Sequence, residues 1–255
     1  MLLAIDVGNT NIVYGIFEGE TLIHKFRVES VRGRTADEYC VALLAMLAMR
    51  GIQPARVDAA ILACVVPPLT DPMVELTRAL LGHDPIVVGP GIRTGMAILI
   101  ENPREVGADR IADAVAGYDR SKGGAVVVDF GTSTNFDVVT PKGEYLGGVL
   151  APGLQISADA LFVRAAKLPR VEIVKPPKVV GRNTIHAMQS GIVYGYVGLV
   201  DGLVERILGE LGYPCEVIAT GGLASLIAPL SKTISAIDED LTLVGLRILY
   251  DRNRL

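Results

Sequence analysis

The sequence predicts an α/β fold made of two similar domains, each a mixed sheet flanked by helices. Three observations carry that expectation. A pattern of strand, Asp-x-Gly loop, strand, tight turn and strand occurs in residues 2–28 and recurs in residues 125–150, with Asp6 and Asp129 123 positions apart. After each copy, apolar runs switch between the strand period and the helix period, which fits sheets covered by helices. A repeat near half of a 255-residue chain points to paired domains rather than a solenoid.

In the first half, residues 2–5 read as a buried strand and Asp6-Val7-Gly8-Asn9-Thr10 as a polar loop. Residues 12–17 form a second strand, Glu18-Gly19-Glu20 a turn, and residues 21–28 a third strand. Residues 35–49 have helical spacing, with Asp37 and Glu38 in the first turn and Gly51 past the end. Residues 57–66 read as a strand closed by Pro67-Pro68, 71–81 as a helix, 85–88 as a strand and 110–118 as a helix. The polar turn at 119–124 marks the boundary, giving domains 1–118 and 119–255.

The second half repeats the opening. Residues 125–128 form a strand, Asp129-Phe130-Gly131-Thr132-Ser133 a loop, 136–139 a strand, Pro141-Lys142-Gly143-Glu144 a turn and 145–150 a strand. Helices follow at 153–168 and 183–211, a strand at 216–219 ending in Thr220-Gly221-Gly222, and helices at 224–230 and 240–250.

Composition narrows the function. Half the residues are hydrophobic and a fifth charged, enough for a large core and against disorder. The net charge of −4 offers no basic face for nucleic acid. Cys40, Cys64 and Cys215 are widely spaced, with no Cys-x-x-Cys pair, so they read as small buried apolar groups in a reducing compartment. The opening Met-Leu-Leu-Ala-Ile-Asp lacks a basic n-region, which argues against a signal peptide. The longest apolar run, 190–204, contains Asp201 and four glycines, the composition of a packed helix rather than a bilayer span. These features predict a soluble, cytoplasmic protein with no membrane or nucleic-acid partner.

The two Asp-x-Gly loops carry the chemistry. Their glycines permit close backbone approach, and Asn9, Thr10 and Asn11, or Thr132, Ser133 and Thr134, supply neutral donors suited to phosphate oxygens. The leading carboxylate suits a bound cation, since Mg2+ takes carboxylate and phosphate oxygens together. One such loop is an ordinary turn; two, each ending a strand and entering the same hairpin, are harder to ascribe to turn chemistry alone. No Gly-x4-Gly-Lys-[Ser/Thr] segment exists, and Gly89 to Gly95 has the wrong spacing for a dinucleotide fingerprint. Gly221-Gly222, after a strand and before a helix, fits either a plain turn or approach to a nucleoside. Asp109-Arg110, after Gly107, fits either a helix cap with a solvated arginine or a base for a hydroxyl beside a carboxylate-binding fork. His24, His83 and His186 are isolated and read as structural or surface groups.

Taken in order, Asp6-Val7-Gly8-Asn9-Thr10, Gly107-Ala108-Asp109-Arg110, Asp129-Phe130-Gly131-Thr132-Ser133 and Gly221-Gly222 resemble the type III pantothenate kinases, within the acetate kinase, sugar kinase, Hsp70 and actin superfamily. The resemblance covers essentially the whole chain. It implies two ribonuclease H-like domains with an interdomain nucleotide cleft, and ATP-dependent phosphorylation of pantothenate to 4′-phosphopantothenate, the first step of coenzyme A biosynthesis. By the same resemblance, Asp6, Val7, Gly8, Asn9, Thr10, Asn11, Ile12, Val13, Thr132, Gly221 and Gly222 bind ATP. Asp109 is the general base. Ile100, Gly107, Ala108, Asp109, Arg110 and Thr184 meet pantothenate. Asp129 holds the monovalent cation, K+ or NH4+, and Asp6 serves Mg2+ directly or through water. A homodimer is also implied. One departure stands out: Ile100, before Glu101-Asn102-Pro103, occupies a position where the family often has an aromatic residue. The alternatives are a kinase for another hydroxylated metabolite and a non-catalytic, nucleotide-dependent regulator on the same fold.

Overall fold

The structure, a computed structural model, describes residues 1–254. Strands β1 (Leu2–Val7), β2 (Asn11–Glu18), β3 (Thr21–Glu29), β4 (Ala59–Cys64) and β5 (Ile86–Val87) form one sheet in the order β3-β2-β1-β4-β5. A second sheet contains β6 (Ala97–Ile98), β7 (Ala125–Phe130), β8 (Ser133–Val139), β9 (Glu144–Pro152), β10 (Glu216–Thr220) and β11 (Ala236–Ile237) in the order β11-β10-β7-β8-β9-β6. In each, three antiparallel strands are extended on one side by two parallel ones, and in the second sheet β6 also pairs in parallel with β9 on the other side. Without β6 the two orders are the same.

The duplication reaches single residues. Pairing slips between Ile16 and Phe17 in the first sheet and between Val138 and Val139 in the second. The residues left over are Ile23 and Leu146, whose separation of 123 positions equals that of Asp6 and Asp129. A bulge retained at the matching place bends both hairpins alike.

Helices α1 (Ala36–Met49), α2 (Pro67–Leu81), α3 (Ala108–Ser121), α4 (Leu154–Arg164), α5 (Thr184–Leu211), α6 (Ala224–Ile227) and α7 (Leu241–Asn253) cover the sheets. Thr35 and Glu38 close a capping box on α1, each side chain taking the other's amide. Leu3, Ile5 and Val7 of β1 pack with Leu43 and Leu47 of α1 and Leu69, Met73 and Leu76 of α2. In the second core, Val126, Val128 and Phe130 of β7 meet Leu154 of α4 and Ile192, Val193 and Val200 of α5. Both central strands are apolar on both faces, as strands covered on two sides must be.

Packing divides the chain into two compact units. One holds residues 1–96, 101–116 and the chain from Leu241 on; the other holds 97–100 and 117–240. The break near 116/117 lies close to the expected one at 118/119, but residues 97–100 go with the second unit and the chain from Leu241 on with the first. α3 continues into the expected boundary turn as far as Ser121, and α7 packs on β1 and β4 of the first unit rather than staying with the second. A glycine permits the close docking: Gly245 of α7 lies so near the Ala112 carbonyl of α3 that a Cβ there would sit 2.5 Å from Ala112 C.

Three expected boundaries also moved. Pro67-Pro68 opens α2 instead of merely ending the strand, since a first-turn proline lacks only an N–H that has no helical partner. The strands β7 and β8 extend into the expected loop, because Thr134 and Asn135 are buried within the ladder despite their polarity. The two-residue strands β6 and β11 had no periodic signal to find. Among the described residues no helix is long and apolar enough to cross a membrane.

Candidate active site

In the first unit, Asp6 and Val7 lie on β1 itself, Asp6 opposite Val13 and Val7 opposite Ile12. The loop proper is Gly8, Asn9 and Thr10. Gly8 N donates to Asn11 O at 3.0 Å, and a Cβ on Gly8 would crowd that oxygen at 3.2 Å. Ser30, just past β3, fastens the loop from behind: its Oγ donates to Gly8 O (2.6 Å) and its amide to Thr10 O (3.0 Å). Asn9 and Thr10 are exposed at the rim, whereas Val7 and Ile12 are wholly buried and offer a ligand only their backbone.

The Gly107-Ala108-Asp109-Arg110 segment stands at the start of α3, whose first turn closes with Ile111 N donating to Gly107 O (3.1 Å). Asp109 Oδ1 accepts from Arg110 N at 2.8 Å. The carboxylate reaches that position because Gly107 has no side chain: a Cβ there would come inside 3.0 Å of the same oxygen, and within 3.5 Å of Val65 Cγ1. Val65 N in turn donates to Val7 O at 3.0 Å, so the motif and the first loop lie at one end of the same sheet. Burial pushes the Asp109 carboxyl above the usual carboxylate range, outweighing the opposing pull of the Arg110 amide and guanidinium.

In the second unit, Asp129 lies on β7 opposite Asn135, and the loop shrinks to Gly131 and Thr132, both exposed. Gly131 N donates to Ser133 O at 3.0 Å, and Ser133 Oγ to Asn135 Oδ1 at 2.7 Å. Two glycines hold this loop between them. Gly221, at φ +88°, lies against the Asp129 carboxylate, and a Cβ on it would stand 2.7 Å from Phe130 N. Gly153, the residue before α4, is packed against the Thr132 carbonyl, where a Cβ would stand 2.8 Å from Thr132 C. Asp129, Gly131, Thr132 and Gly221 therefore form one group, with Gly222 exposed beside it.

Thr184 and Ile100 are placed elsewhere within that unit. Thr184 is the first residue of α5, capped by Asn183, whose Oδ1 accepts from His186 N at 2.8 Å. It borders a cleft of about 800 Å³ together with Ser157, Leu161, Arg182, Met188 and Tyr196. Ile100 follows β6 and packs by its Cγ2 on Gly147 of β9. Ser30, Gly153 and Tyr196 were not singled out in the sequence. Only Gly153, adjoining Pro152 at a helix start, carried a local hint. Among the described residues no group of three or more His, Cys, Asp or Glu is arranged to hold a metal. Each loop supplies a single carboxylate beside neutral donors.

A twice-repeated sheet of three antiparallel and two parallel strands, with an Asp-x-Gly loop after the first strand of each copy, defines the ribonuclease H-like fold class. Two solved structures share the arrangement. A Campylobacter jejuni protein assigned to the Baf family of transcriptional activators matches with a TM-score of 0.61 at 18% identity, over 98% of each chain. A Porphyromonas gingivalis protein assigned as an N-acetylglucosamine kinase matches with a TM-score of 0.51 at 16% identity, over 100% of each chain. Sequence is more specific than fold. The profile of the type III pantothenate kinase family matches residues 2–206. The type III pantothenate kinase of Pelobacter propionicus is 58% identical over 254 residues, covering 100% of both chains. The chain belongs to the type III pantothenate kinase family, and it is an enzyme of the kinase class.

Proposed function

We propose that this enzyme transfers the γ-phosphoryl group of ATP to the primary hydroxyl of pantothenate, giving 4′-phosphopantothenate for coenzyme A synthesis. The observation that carries this reading is the half-buried Asp109 carboxylate, fixed by Gly107 and Arg110 N beside the first loop, in a chain of this family.

Phosphoryl transfer asks a protein mainly to position reactants and neutralise charge. In this reading the amides of residues 8–11 and the side chains of Asn9 and Thr10 receive phosphate oxygens, with Asp6, Val7, Ile12 and Val13 framing them. Thr132 gives a second phosphate contact, and Gly221 and Gly222 leave room for the nucleoside. Asp109 takes the hydroxyl proton as the oxygen attacks; its raised carboxyl makes it a stronger base near neutral pH than a free aspartate. Arg110 pairs with the pantothenate carboxylate, Gly107 and Ala108 line the approach, and Thr184 and Ile100 complete the substrate contacts. Ile100 offers apolar packing alone.

The donor set fits the cations. Mg2+ uses one or two carboxylates with phosphate oxygens and water, which suits Asp6 as the one carboxylate of the first loop; K+ or NH4+ suits Asp129 beside the second loop. When bound, these ions neutralise charge on the transferring phosphoryl group. A homodimer belongs to the same reading, supported by exposed apolar side chains: Leu161, which borders the Thr184 cleft, and Phe162, Val163, Val179 and Val180, close in sequence to its lining residues Leu161 and Gly181. The test is ADP release with ATP, Mg2+ and pantothenate, with and without K+. Turnover that needs pantothenate and rises with K+ is expected; turnover with hexoses and none with pantothenate would overturn the assignment.

A further inference from the structure

We infer that Tyr196 is a positioning residue for the second Asp-x-Gly loop, an inference that rests on the reading of this loop as a phosphate contact. Tyr196 projects from the middle of α5 and is 8% exposed. Its hydroxyl has three partners: Pro152 O at 2.7 Å, Gly153 O at 3.1 Å and Ser157 Oγ at 2.5 Å. A phenol has one proton to give. The two carbonyls can only accept it, so the Ser157 hydroxyl is the donor to the phenol oxygen.

Those carbonyls belong to the two residues that back the loop. Pro152 ends β9 directly opposite Ser133, the first residue after Thr132. Gly153 is packed against the carbonyls of Gly131 and Thr132, at 2.7 Å from the former for a Cβ built on it. The turn also begins α4, with Ser157 N donating to Gly153 O at 3.0 Å. Tyr196 thus clamps the 152–153 turn, and the turn presses on the loop. Without the phenol hydroxyl the turn keeps its sheet pairing and its helix bond, but loses the side-chain contact that sets its height over Thr132.

The experiment uses equilibrium binding of a non-hydrolysable ATP analogue with Mg2+, in the absence of pantothenate, on Tyr196→Phe, Thr132→Val and Gly153→Ala. Tyr196→Phe should weaken analogue binding about tenfold, the scale of one buried hydrogen bond, with its circular dichroism spectrum unchanged. Gly153→Ala should weaken it as well, since its methyl pushes from the same turn into the Gly131 and Thr132 carbonyls, and it tests the link from turn to loop if Tyr196→Phe fails to fold. If Thr132→Val weakens binding while Tyr196→Phe and Gly153→Ala leave it intact, the positioning role is wrong. A change confined to the KM for pantothenate in Tyr196→Phe overturns it too, since that places the phenol in the substrate cleft instead. If Thr132→Val itself leaves binding intact, the reading of the loop is what fails.

Discussion

Gly107→Ala tests the site with a single methyl group. The backbone accepts alanine at this position, because Gly107 is not among the glycines held at positive φ. The new Cβ would lie inside 3.0 Å of Asp109 Oδ1 while standing 3.6 Å from Asp109 Cγ, so the oxygen, not the whole carboxyl, has to give way. Ordinary contact begins near 3.4 Å, which requires a retreat of more than 0.4 Å and a turn of the carboxylate away from the 2.8 Å bond to Arg110 N. Displacements approaching 1 Å cost on the order of 10² in rate when a reactant must be held in line. The expected result is a fall in kcat of about 10–10², with the KM for ATP unchanged, read by continuous ADP release. Asp109→Asn sets the scale, losing on the order of 10²–10⁴ if the carboxylate is the base. Wild-type kcat in Gly107→Ala beside an inactive Asp109→Asn would show that the carboxylate needs no help from the glycine; wild-type kcat in Asp109→Asn would remove the base altogether.

Other outcomes follow from the same contacts. Because burial raises the Asp109 carboxyl, the stability it contributes is complete below the carboxylate range of the unfolded chain and is lost as pH rises through the higher folded value. Asp109→Asn should therefore gain in melting temperature relative to wild type between pH 4 and pH 7 (about the carboxylate range and above it), and a gap that stays flat with pH would contradict this. Asp201 is the opposite case. Burial opposes its ionisation, but bonds from Ser231, Thr233 and the amides of Lys232 and Thr233 outweigh it and hold the carboxyl low. Asp201→Ala should cost about 2 kcal/mol at neutral pH, a deficit that closes as acid protonates the wild-type group, measured by urea unfolding at several pH values. Gly245→Ala drives a methyl into Ala112 and should cost about 1–3 kcal/mol in the urea midpoint; no loss would mean that α7 docks less closely on α3.

Much of this was legible in the chain because duplication reports itself. Two copies of one hairpin, their Asp-x-Gly loops 123 residues apart, mark both loops and the three antiparallel strands of each sheet. What escaped notice depended on neighbours distant in sequence. The reach of β8 into Thr134 and Asn135 depends on a ladder that buries polar groups, and a polarity pattern reads them as loop. The docking of α7 on β1 and β4 brings Gly245 against the Ala112 backbone of α3, and in sequence Gly245 looks like any helix-interior glycine. Of the site, the Asp-x-Gly loops and the Gly107–Arg110 motif carry their chemistry in their own residue types. Ser30, Gly153 and Tyr196 do not: they act through one carbonyl or one close approach, and nothing nearby in sequence announces either.

The return of α7 to the first unit sets an order of events during synthesis. The strands that emerge first from the ribosome cannot complete their own core until residues 241–253 arrive, after every strand of the second unit has been made. The unit begun earliest is finished last, with β1 and β4 left open on one side throughout translation, so truncations near the C-terminus should damage the half of the molecule that bears Asp6 and Asp109.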